Sequence, residues 1–258
     1  MTLRPPTHFT CHDQLPEKDA KLVKQLNASL DRLNELRALE INVAGPFLRS
    51  KIAWKLASYQ HHLLHRLVAL MDGAAVTWNA KSTLGTILCA RAVMETFAVM
   101  TNVEDRVKDC LAREDLGQLD AFVMRGMFAS RDLEWIEEFP DSKAVNVLTY
   151  IDTFDKQVPG FRGHYDSLCE RCHPNSLGHN FMFAKLDRST GSVAYSDERT
   201  PDRNVDLILA ALAPFPLVES MMARLDDLIL KVSDLQHRLS PIGGSASNTE
   251  PPREGSQK

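Results

Sequence analysis

Long apolar runs, a dominant charge sign and glycine-rich phosphate loops are all missing from this 258-residue chain. No stretch approaches the roughly eighteen consecutive apolar residues of a membrane span. The opening residues, MTLRPPTHFTCHDQLPEKDAKLVK, contain no apolar core of signal-peptide length. A cytoplasmic protein with no membrane partner is the expectation. The net charge of -4 excludes a generally basic nucleic-acid binder, but leaves room for a local basic patch. Cysteine is too scarce, and odd in number, for a disulfide framework. Cys11, Cys89, Cys110, Cys169 and Cys172 are expected as reduced thiols. There is no Walker A loop, nucleophile elbow or kinase signature, and Ser82-Thr83 with Gly85 does not make one. No cofactor is expected.

Helical periodicity fills most of the remaining chain. Residues 1–15 read as an irregular arm. From Pro16 to Glu40 an apolar stripe of Leu22, Leu26, Leu30, Leu33 and Leu36 predicts an amphipathic helix. A second helix is predicted from about Pro46 to Met71. Its other face carries Lys51, Lys55, Tyr59, His62 and Arg66, either a phosphate-binding surface or a solvated face. His61 and His65, one helical turn apart, are expected as surface histidines. Residues 79–101 form a third helix, apolar over most of its girth and therefore central in a bundle. Arg91 and Glu95 share one face of it, as a structural ion pair or as the lining of a site.

Asn102 is expected to cap a further helix running to about Ser130. A short acidic piece spans Asp132–Phe139 and a helix covers 142–156. Near 180–196 the period changes to two, predicting a β-hairpin that packs on the helices. A last helical run, 202–239, must kink or split at Pro214 and Pro216. Residues 240–258 are Pro/Gly-rich and polar, and are expected as a disordered tail. The fold class is mainly α: a single-domain bundle of about six or seven helices, residues 16–239, with one β-hairpin insertion.

The richest window is Phe161–His179, FRGHYDSLCERCHPNSLGH. Cys169-Glu-Arg-Cys172-His173 matches the c-type haem attachment pattern, but without the export signal that usually accompanies it. Cys169, Cys172, His173 and His179 could alternatively hold a metal. Without a metal, His173, at a helix end before a proline, suits proton transfer, with Tyr165 and Glu170 near it in sequence. It could equally serve as a cationic C-cap.

The helix CARAVMETFAVM, followed by Tyr165-Asp-Ser-Leu-Cys-Glu-Arg-Cys-His173-Pro, resembles an uncharacterised bacterial all-helical family that is distantly similar to HEPN domains. The resemblance spans roughly residues 80–185. The close Arg-to-His spacing of the HEPN signature is not reproduced around Arg171, His173 and His179. The resemblance implies a helical bundle, often a homodimer, in a defence or stress system, binding RNA or a nucleotide. It implies a metal-independent endoribonuclease in which Arg91 holds the scissile phosphate, His173 moves the ribose proton and Glu95 orients one of them. Tyr165, Glu170, Lys55 and Arg66 are the candidate binding residues. The alternatives are a non-catalytic helical interaction module and a metal-binding protein using the Cys169/Cys172/His173 cluster.

Overall fold

The computed structural model describes residues 3–11, 15–43, 47, 50–197 and 201–239. Residues 240–258, expected as a tail, lie outside them. Among the described residues there are nine helices of six residues or more, above the six or seven expected, and one two-stranded hairpin. They are α1 (Glu17–Leu36), α2 (Lys51–Asn79), α3 (Thr83–Ala112), α4 (Leu116–Phe128), α5 (Leu133–Glu138), α6 (Val147–Asp155), α7 (Phe161–Cys172), α9 (Pro201–Leu212) and α10 (Leu217–Leu239). A single helical turn, α8 (Phe181–Phe183), leads into β1 (Ala184–Asp187) and β2 (Ser192–Tyr195).

The centre of the bundle is α3, which touches α2, α4, α6, α7, α9 and α10. Its apolar girth is the cause: Ile87, Ala90, Val93, Met94, Phe97, Met100, Val103 and Val107 are all buried. The helix runs straight through Asn102, which is therefore not a cap. Burial of Val103 and Val107 continues the stripe and overrides the local capping signal. The real boundary comes later, where the Asp115 carboxylate accepts from the Gln118 N–H at 2.8 Å and starts α4. By length and composition alone, α3 and the run Arg203–Leu239 are apolar enough to cross a membrane. Neither contains eighteen consecutive apolar residues, because polar and charged side chains interrupt both. Half of the apolar window in α3 is buried inside the bundle, as in a core helix.

Leu26, Leu30 and Leu33 carry α1 into the core, whereas Leu36 ends half-exposed. The N-terminal arm is irregular but pinned. The Asn27 side chain accepts from the Phe9 N–H and donates to the Phe9 carbonyl, both at 2.9 Å. Phe9 is buried edge-on against Trp78, whose indole N–H donates to the Thr10 carbonyl at 3.0 Å. Arg4 ion-pairs with Asp72.

The proline pair splits the last helical run as expected, with α9 and α10 meeting at residues 213–216. The hairpin departs from expectation twice. Phe181 and Phe183 belong to the helical turn rather than to a strand, and β1 begins at Ala184. The ribbon also does not lie on the helices. Ala184 is buried, but Leu186, Val193 and Tyr195 face solvent, Tyr195 at 79% exposure.

Candidate functional site

Of the predicted site residues, Arg91 and Glu95 sit on α3 and Tyr165 and Glu170 on α7, and these two helices pack side by side. Arg91 and Glu95 are one turn apart on α3, and the Arg91 Nε donates to Glu95 Oε1 at 3.1 Å. The buried Tyr165, from α7, donates its hydroxyl to the same oxygen at 2.8 Å. Glu95 thus bridges the seam, taking one bond from its own helix and one from its neighbour. The pair is not sealed: Arg91 keeps 30% of its side chain exposed and Glu95 18%.

Burial opposes the charge on Arg91. Glu95, with the polar groups of Tyr165, Cys169 and Cys172, more than offsets that and holds the guanidinium's proton more tightly than usual. Burial, followed by the bond to Glu95, pushes the Tyr165 phenol well above its ordinary range. Cys169 and Cys172 lie one turn apart on α7 beside this group. Burial raises both thiols, with Arg91 pulling in the opposite direction. Thiols in that state are poor nucleophiles.

His173 follows the last residue of α7, next to Cys172. It is the C-cap of α7, its backbone extended before Pro174, and its side chain is exposed. The helix ends there because the next residues fold back over it. Asn175 accepts from the Leu177 and Gly178 N–H groups, both at 3.0 Å, and its amide nitrogen donates to Glu170 at 2.7 Å. Gly178 is the residue that permits the fold-back: a Cβ there would lie 1.9 Å from the His173 carbonyl oxygen. Glu170 is accordingly a partner of this turn. His179 is exposed beyond it. Among the described residues, no three His, Cys, Asp or Glu side chains converge as a metal site. The alternative set Cys169, Cys172, His173 and His179 is therefore not brought together. The thiols turn towards α3, while the histidines follow the exposed cap and turn.

The basic face of α2 is divided between covered and exposed residues. Lys55 is 14% exposed and pairs with Asp120 of α4 at 2.6 Å. Tyr59 is buried on the same side, under Gly126. Arg66, still exposed, donates to Thr96 of α3 at 3.2 Å. Helix α4 therefore covers only the Lys55 and Tyr59 part of this face, while Lys51, His62 and Arg66 stay exposed, as in the solvated reading. His61 and His65 are not plain surface residues. The Ala38 N–H donates to His61 Nδ1 at 3.2 Å, and His65 Nε2 lies 2.9 Å from the Ala38 carbonyl, so the pair clamps the loop after α1.

Sequence reasoning missed two links. It placed Tyr165 near His173, whereas the phenol reaches Glu95, seventy positions away in the chain. It also gave no partner to Arg171, which donates to Asn204 of α9 at 3.1 Å and to the Ser167 carbonyl at 2.7 Å. No local pattern marks contacts of that range. The fold and site define a mainly helical bundle with a bridged ion-pair seam. No protein-family model, curated protein or solved structure matches the chain.

Proposed function

We propose that this chain is a non-catalytic helical binding module in which Arg91, Glu95 and Tyr165 hold α3 to α7. One observation carries the reading: Glu95 is engaged by both Arg91 and Tyr165, so the guanidinium already has its counter-charge. A ribonuclease site would need that arginine free for phosphate, and a histidine oriented by a neighbour. The exposed His173 side chain makes no hydrogen bond or ion pair among the described residues. The surface offered to a partner includes the apolar, solvent-facing ribbon of Leu186, Val193 and Tyr195.

A second reading, the HEPN-like metal-independent endoribonuclease or RNA binder, draws on one specific observation. Cys172, which lies beside Arg91, directly precedes His173 in the chain. The two readings separate on incubation of the purified protein with total RNA, with and without EDTA, alongside His173→Ala. No cleavage, together with a lowered melting temperature in Arg91→Ala and Glu95→Ala, is the expected result. EDTA-resistant cleavage that disappears in His173→Ala would overturn the module reading.

A further inference from the structure

Residues 130–143 form a closed loop on the surface. The Ser130 N–H donates to the Ser142 carbonyl at 2.8 Å and the Ala144 N–H to the Ser130 carbonyl at 2.9 Å, which holds the two ends together. Compact loops with their ends so joined are frequently functional. Inside it, the Asp132 carboxylate caps α5 by accepting from the Trp135 N–H at 2.9 Å, and the Trp135 indole N–H donates to the Phe128 carbonyl at 3.3 Å. The loop is therefore shaped before any partner arrives, which lowers the entropic cost of docking.

Helix α5 is amphipathic. At about 100° per residue, Leu133, Trp135 and Ile136 fall on one half of it and Glu134, Glu137 and Glu138 on the other. Phe139 extends the apolar half, its ring centroid 4.7 Å from that of Trp135. Such a helix ordinarily turns its apolar half into a core. Here no residue of α5 is buried: Leu133 is 75% exposed and Trp135 38%, with Phe139 beyond them at 45%. Exposed apolar surface with a polar rim marks an interaction site. The sign of that rim selects the partner. Asp132, Glu134, Glu137, Glu138 and Asp141 stand against Arg131 and Lys143, and all five carboxylates are exposed. Among the described residues none of the five is in an ion pair. Partners that bear phosphate, such as RNA or an anionic bilayer, are repelled by such a rim.

We infer that this loop docks a cationic amphipathic helix of a protein partner. The partner's apolar stripe packs on Leu133, Trp135 and Phe139, and its Lys or Arg side chains meet the carboxylates beside them. Apolar contact supplies the affinity, and charge sets the orientation and rejects acidic helices. The loop uses no residue of the Arg91 seam or of the ribbon, so this docking stands or falls separately from the RNA experiment.

The test is isothermal titration of the full chain with a Leu/Lys peptide of about 14 residues whose leucines follow the helical period. The controls are a scrambled peptide of the same composition and a Leu/Glu peptide with the same stripe. Saturable binding of the periodic Leu/Lys peptide is expected, at least roughly tenfold tighter than either control. Leu133→Ser combined with Trp135→Ser should weaken it by at least roughly tenfold, whereas Leu217→Ser, at another exposed leucine, should leave it unchanged. Glu134→Lys combined with Glu137→Lys should weaken it by a similar factor and flatten its salt dependence. All four loop positions are exposed, so both double variants should fold, which far-UV circular dichroism checks. Equal binding of the periodic and scrambled peptides, an unchanged affinity in the Leu133→Ser, Trp135→Ser variant, or no saturable binding would each overturn the assignment. Partition of the chain onto neutral phosphatidylcholine vesicles, lost in that same variant, would also overturn it and give the loop to a membrane.

Discussion

Replacing Tyr165 by Phe removes one oxygen atom and tests whether the α3–α7 seam is structural. The hydroxyl donates to Glu95 at 2.8 Å from a buried position, and the acceptor is a carboxylate. A hydrogen bond to a charged group contributes about 1.5–3 kcal/mol. Glu95 keeps its bond from Arg91 and remains partly hydrated, so the lower half of that range is expected, about 2 kcal/mol. Urea unfolding monitored by circular dichroism reads this as a lower midpoint at unchanged slope. The effect should depend on pH in a defined direction. The folded protein holds the Tyr165 proton more tightly than the unfolded chain does. Its stabilisation is therefore complete below the unfolded phenol pKa of about 10 and falls as pH rises above it, by at most about 1.4 kcal/mol per pH unit. The gap between wild type and Tyr165→Phe should be widest at pH 7 and shrink by pH 11. A gap below about 0.5 kcal/mol, or one that does not change with pH, would refute the view that this bond fastens the seam.

Further predictions concern Glu104 and the glycines of α4. Glu104 is 5% exposed, accepts from Lys108 at 2.6 Å and takes a two-pronged contact from the half-exposed Arg224 at 2.7 and 2.9 Å. Arg224→Met leaves a buried carboxylate with one cation fewer and should cost about 2–3 kcal/mol. Glu104→Met returns both cations to water and should stay within about 1 kcal/mol of wild type in the same urea assay. Burial opposes the Glu104 charge, but Arg224 and Lys108 outweigh it and lower its pKa. The stability it contributes is present above the ordinary carboxylate pKa and is lost as pH falls through the folded value, so Glu104→Gln should flatten the acid limb of the stability curve. Gly126→Ala would place a Cβ 2.5 Å from the buried Tyr59 ring and should destabilise by about 1–3 kcal/mol. Gly117→Ala, with its nearest neighbour 3.6 Å away, should instead stabilise α4 by up to about 1 kcal/mol; thermal melts of the two variants check the opposite signs.

Features specified by neighbouring residues were legible in the sequence. The leucine stripe of α1, the break at Pro214 and Pro216, the place of the hairpin and the Arg91–Glu95 pair each depend on residues a few positions apart. The central burial of α3 also followed from its composition. Asn102 shows where such reasoning fails: asparagine before acidic residues is a good local cap signal, yet the core takes Val103 and Val107 and carries the helix onward. On α2 the basic face was legible only in part: Lys51, His62 and Arg66 are exposed, but α4 takes Lys55 in with Asp120 and leaves room at Gly126 for Tyr59.

Only the tertiary structure could join Tyr165 to Glu95, Lys55 to Asp120, or Arg224 to Glu104. Each depends on which helices pack together and at what rotation. Periodicity states that a helix has an apolar face, but not which helix will cover it. The sequence by itself determined that this chain is a helical bundle with a hairpin. The packing of α7 on α3 and of α10 on α2 decided which of its polar side chains meet.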